Sequence, residues 1–135
     1  MTVFLDTSAF YAILDRDDLN HARSGKLWDQ LLRDANALVT NNYVVVETSA
    51  LVQHRLGVPA VRTFIEDMLP VVRIEWITEE YHRAAGNVLL AAGRRRLSLV
   101  DCVSFETMRR TGIRSAFCFD DRFREQGFQV LSNRP

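Results

Sequence analysis

Five short apolar runs, TVFL, ALVT, VVRIEW, SAFCF and FQVL, recur along a 135-residue chain, and a stretch of helical period separates each from the next. No other feature constrains the fold as much. Antiparallel strands close through tight turns, whereas parallel ones need a longer crossover, usually a helix. Strands that alternate with helices therefore predict a parallel α/β sheet with helices on both faces.

Strands are predicted at residues 2–5, 37–40, 71–76, 115–119 and 128–131. A helix over 7–15 follows the first. Asn20 is a suitable N-cap for a second, with Ala22, Leu27, Leu31 and Leu32 as its apolar stripe. NNYVVVETSALVQHRLG is ambiguous, since its valines favour a strand; its length and the terminal Gly57 favour a helix. Pro59 suits the first turn of a helix over 59–69. Thr78, followed by Glu79 and Glu80, opens a helix running to Gly93. Ser98 opens another that ends at Gly112, and DDRFREQG is a short helix. There is no repeat or linker, so residues 1–135 are expected to form a single domain.

Composition excludes several classes. With 47% hydrophobic and 25% charged residues, the chain resembles an ordinary soluble globular protein. No apolar run approaches the length of a membrane span, and no secretory signal pattern is present. Cys102 and Cys118 sit in apolar surroundings, which predicts buried reduced thiols and a cytoplasmic location. Without a CxxC pair, and with three scattered histidines, zinc is disfavoured. Seventeen basic and seventeen acidic residues cancel, so any nucleic-acid role must rest on local patches. Arg94, Arg95 and Arg96 form the one obvious patch, and by themselves read as a solvated helix–helix turn.

Four acids break the pattern. Asp6 and Asp120 each follow an apolar strand, at the carboxyl edge where parallel sheets carry their sites; either alone reads as an N-cap. Placed on a helical wheel, Asp101 falls between Leu97 and Met108 on one side and Phe105 on the other. Glu47 likewise falls between Tyr43 and Ala50 on one side and Val44 and Leu51 on the other. Both are carboxylates on core-facing stripes, where an unpaired charge is costly or is forced to protonate. The arginines nearest in sequence (Arg55, Arg94 to Arg96, Arg109 and Arg110) read as exposed. Clustering the acids adds repulsion unless a cation sits among them. Oxygen ligands alone favour Mg²⁺ or Mn²⁺, one ion or two, and phosphodiester hydrolysis as the reaction class.

FLDTSAFYAIL, NNYVVVETSALVQHRLG, RLSLVDCVSFETMRRTGI and AFCFDDRFREQGFQVL, in that order, resemble the four acidic blocks of PIN domains, and more narrowly the VapC-type ribonuclease toxins of toxin–antitoxin pairs. The resemblance covers essentially the whole chain. It implies a three-layer PIN-like sandwich with a central, mainly parallel sheet of about five strands flanked by helices. It also implies a Mg²⁺- or Mn²⁺-dependent endoribonuclease leaving 5′-phosphate and 3′-hydroxyl ends. Asp6, Glu47, Asp101 and Asp120 match the family's metal-binding catalytic acids, and Ser8 its supporting hydroxyl. Cys118 stands where many relatives carry Thr or Ser, which weakens support at the last acid. Asp121 is the alternative to Asp120, which is favoured because it abuts the strand. In this light Arg94 to Arg96 become candidate RNA-phosphate contacts. The resemblance further implies a homodimer and a small cognate antitoxin.

The main alternative is a PIN-like module that binds RNA or a protein without cutting. An aspartyl-phosphate phosphatase would want an acid at Ser8, and a receiver domain a late lysine, whereas Lys26 is the sole lysine. His21, His54 and His82 are expected in surface or capping roles, and Trp28 and Trp76 in packing. Asp15, Asp17 and Asp18 read as a solvated loop. Phe119 and Phe123 flank the last acid and are candidates to stack on a base, with core packing the stronger reading for Phe119.

Overall fold

The structure is a computed structural model that describes residues 1–132. Its five strands, β1 (Thr2–Leu5), β2 (Ala37–Asn41), β3 (Arg73–Glu75), β4 (Ser115–Phe117) and β5 (Gln129–Leu131), form one sheet in the order β3-β2-β1-β4-β5. Every pairing is parallel, as the alternation predicts. Val3, Phe4 and Leu5 are all fully buried. Successive strand residues point to opposite faces, so β1 is covered on both sides, which makes the fold three-layered.

The helices are α1 (Thr7–Leu14), α2 (His21–Arg33), α3 (Asn42–Leu56), α4 (Val58–Thr63), α5 (Glu79–Ala92), α6 (Leu99–Thr111) and α7 (Arg122–Glu125). The ambiguous valine-rich segment is helical. Asn41 caps it by accepting from the Val44 amide at 2.9 Å, and Gly57 ends it at φ 88°, a conformation glycine supplies without strain.

Four details differ from the expectations. The stripe of α2 consists of Ser24, Leu27 and Leu31, while Ala22 and Leu32 are exposed. Asn20 occupies the N-cap position of α2 but makes no side-chain cap bond. The helix expected over 59–69 is α4 followed by a π turn, Phe64–Met68, and a 3₁₀ turn, Leu69–Val71. The third and fourth strands are shorter than expected. Val71 is held in the turn after Pro70, and the Phe119 amide bonds to Ser8 Oγ at 3.1 Å instead of to a neighbouring strand.

α5 packs on α6, and α1 packs on both α2 and α3. Cys102 and Cys118 are free and buried. Among the described residues every buried side-chain nitrogen and oxygen has a hydrogen-bond partner, and no helix is long and apolar enough to cross a membrane.

Candidate metal centre

β1 lies between β2 and β4, so the strand order reverses direction at the β1–β4 pair. In parallel sheets the crevice beyond such a reversal is the usual ligand site. Asp6 leaves β1 there, its amide bonded to the Phe117 carbonyl of β4 at 3.1 Å. Its carboxylate caps α1, with Oδ2 accepting from the Ser8 amide at 3.2 Å and from Ser8 Oγ at 2.8 Å. Ser8 Oγ also accepts from the Phe119 amide, so one hydroxyl ties the first acid to the loop that carries the last.

Asp6 is only 4% exposed. Burial, then repulsion from Asp120 and Asp101, raises its carboxyl to about 7, while the two bonds from Ser8 pull it down. The Asp101 carboxylate closes a capping box on α6. Its Oδ2 accepts from the Ser98 amide at 3.0 Å, and Ser98 Oγ accepts from the Asp101 amide at 3.0 Å. The box fixes this carboxylate at the buried start of its helix.

Asp6, Ser8, Glu47 and Asp101 line one cavity of about 360 Å³. Asp120 lines an adjoining one of about 550 Å³ together with Arg94, Arg96 and Asp121. Arg122 is common to both cavities. Glu47 lies further from the core than its wheel position suggests. The buried face of α3 is Val44, Thr48 and Val52, with Glu47 half-buried beside it and Ala50 exposed.

The feature that sequence reasoning missed is Arg122. Its Nη1 donates to Asp101 Oδ2 at 2.8 Å and to the Arg96 carbonyl at 3.1 Å. Nε and Nη2 donate to the two Asp120 oxygens at 3.2 and 3.1 Å. The bonds to Asp120, followed by the charges of Asp101, Asp120 and Asp6, raise the guanidinium pKa above its ordinary value. The cluster therefore has an internal cation, supplied by an arginine outside the set nearest in sequence to the helical acids. Among the described residues no three His, Cys, Asp or Glu side chains converge tightly enough to hold an ion as they stand. The donor chemistry nevertheless suits a hard divalent cation. All the donors are carboxylate oxygens, and one is buried and raised in pKa by its neighbours.

The remaining candidates fall on both sides of their readings. Asp121 has its side chain 71% exposed and is paired with Arg124 at 2.7 Å, away from Asp6. Cys118 is fully buried, with Sγ 3.8 Å from the Asp120 carbonyl. Burial and the nearby Asp6 and Asp120 raise its thiol pKa, which keeps it protonated. Arg94 and Arg96 line the second cavity, while Arg95 is exposed and not part of its wall. Phe119 lines the acid cavity, but Phe123 is fully buried against Phe105 and is unavailable for stacking on a base. Trp76 is 71% exposed rather than packed. Asp18, read as solvated, lines the acid cavity, and nothing in its local sequence signals this.

The PIN domain family profile matches residues 3–129.

The chain belongs to the PIN-domain family.

Among PIN-domain relatives, the 23S rRNA-specific endonuclease VapC20 of Mycobacterium tuberculosis is 33% identical over 127 residues, covering 93% of this chain and 95% of VapC20. The crystal structure of that protein, described as a sarcin-ricin loop cleaving toxin, superposes with a TM-score of 0.86 over 98% of this chain and 99% of the other. FitAcB from Neisseria gonorrhoeae (TM-score 0.69, 16% identity, 97% of each chain) shares the fold. So does VapBC2 from Rickettsia felis bound to a promoter DNA fragment (TM-score 0.72, 11% identity, 97% of this chain and 98% of that one).

Proposed function

We propose that this PIN-domain protein is a Mg²⁺- or Mn²⁺-dependent endoribonuclease, the toxin of a VapBC-type toxin–antitoxin pair. The observation that carries the reading is the buried Asp6 carboxyl, raised to about 7 beside Asp120 and Asp101 at the carboxyl edge of the sheet. A carboxylate in that environment is stabilised by a divalent cation, and family membership with VapC20 supplies the reaction class.

Asp6, Glu47, Asp101 and Asp120 would hold one or two ions. Bound there, a divalent ion activates water and offsets charge on the phosphate. The chain's own residues do the positioning. Ser8 orients Asp6, and Ser98 orients Asp101. Arg94 and Arg96 would meet RNA phosphates, a role supported by their position in the wall of the adjoining cavity. The leaving oxygen departs with the upstream ribose, giving 5′-phosphate and 3′-hydroxyl products. The sarcin–ricin loop of 23S rRNA is the first substrate to test, because VapC20 cleaves it. An antitoxin segment covering the acid cavity, a homodimer and a cytoplasmic location complete the reading.

The deciding experiment is thermal denaturation of the purified chain with and without Mn²⁺, for wild type and Asp101→Asn. A ligand that binds only the folded state raises stability by mass action. Wild type is expected to gain several degrees in millimolar Mn²⁺ and to cleave the loop RNA, and Asp101→Asn to lose most of both. One observation favours the rival non-catalytic module: Arg122 already pairs with Asp101 and Asp120. That module predicts no response to Mn²⁺ in either protein.

A further inference from the structure

We propose that Arg122 is a built-in counter-ion of the acid cluster, holding the place between Asp101 and Asp120 that a divalent ion would take. Ion entry then requires this side chain to leave. The inference rests on the metal-dependent reading above and concerns how that site is loaded.

The geometry is that of a bound cation. The guanidinium bridges two carboxylates on different elements, Asp101 at the start of α6 and Asp120 in the loop after β4, through three bonds of 2.8 to 3.2 Å. Two of these form a fork on Asp120, the arrangement in which arginine recognises a carboxylate most strongly. The charge of arginine is permanent, so no change of pH within the working range removes it.

The arginine can also leave. Its side chain is 36% exposed, whereas that of Asp101 is 6% exposed. The Arg122 amide donates to Asp120 Oδ1 at 3.0 Å, the oxygen that also accepts from Nε, so the backbone keeps a bond to Asp120 when the side chain swings away. A released guanidinium has acceptors within reach, because the adjoining cavity whose wall Arg122 shares also carries the carboxylates of Asp121 and Glu125. Exchanging one positive charge for two offsets more of the combined charge of Asp101, Asp120 and Asp6 than a single arginine does.

The test uses the full chain as wild type, Arg122→Gln and Arg122→Lys, each titrated with Mn²⁺ by calorimetry and melted without metal. When only the released form binds, apparent affinity falls in proportion to its population, so a tenth released means about a tenfold weaker Kd. Arg122→Gln is therefore expected to bind Mn²⁺ about tenfold or more tightly than wild type and to melt lower without metal. Arg122→Lys keeps the charge but loses the fork, and is expected to lie between the two. Equal or weaker binding by Arg122→Gln, with wild type still binding, overturns the inference and leaves the metal site intact. If no variant binds Mn²⁺ at millimolar concentration, the metal reading falls and this inference with it. If only Arg122→Gln binds, the arginine outcompetes the ion: its counter-ion role stands, and the metal-dependent reading of the wild-type chain falls.

Discussion

Asp6 ends β1, caps α1 and is surrounded by other acids, and its titration exposes the conflict among these roles. Its carboxyl is raised from 3.8 to about 7, so between those values the folded chain holds a proton that the unfolded chain has lost. Metal-free stability is therefore greatest below about pH 4 with respect to this group, and falls as pH rises through about 7. Asp6→Asn is expected to remove that slope and to raise the metal-free Tm at pH 8 by about 5–10 °C; melts from pH 5 to 8 check it. Asp6 and Asp101 are legible in sequence because each interrupts an apolar pattern, and a buried charge needs a reason. Arg122 is not legible. It reaches Asp101 across 21 residues of sequence, from a turn already crowded with charges, and no wheel drawn on one helix contains it.

α3 and α6 carry two of the four acids, and polar side chains align these helices. Asn41 caps α3 while its buried amide donates to Ser104 Oγ at 3.4 Å and Thr107 Oγ1 at 3.2 Å, both on α6. Asn41→Ala removes the cap and both cross-helix bonds, and is expected to cost about 2–4 kcal/mol. Ser98→Ala removes only one cap, for about 1 kcal/mol. Urea denaturation of both variants measures the difference, and near-equal costs would mean that Asn41 contributes as a cap alone. Helix boundaries are readable at this scale because caps are local chemistry. The π turn at Phe64–Met68 is not, since one extra residue per turn hardly disturbs the periodicity of so short a window. Strand ends are similarly hidden. Whether Phe119 continues β4 depends on Ser8, from the far end of the chain.

Alternating strands and helices make a parallel sheet readable from sequence, but not which strand sits where. The order places β1, fully apolar between residues 3 and 5, at the centre. Glu47 also lines a further, largely apolar cavity of about 430 Å³ with Asn42, Tyr43, Val46 and Val100, and Val46 is 68% exposed. If the proposed homodimer uses this face, Val46→Lys is expected to weaken dimerisation at least tenfold in sedimentation equilibrium. Dimerisation unchanged by that substitution would move the interface elsewhere. The central position of β1 also sets a schedule. Ser8 and Phe119, the two ends of the tie that joins the first acid to the last, are 111 residues apart. At ribosomal speeds of about 5–20 residues per second, that interval is on the order of ten seconds. Until β4 emerges, β1 lacks a neighbour on one side and Asp6 lacks Asp120. The acid site would thus stay incomplete until nearly the whole chain has been translated.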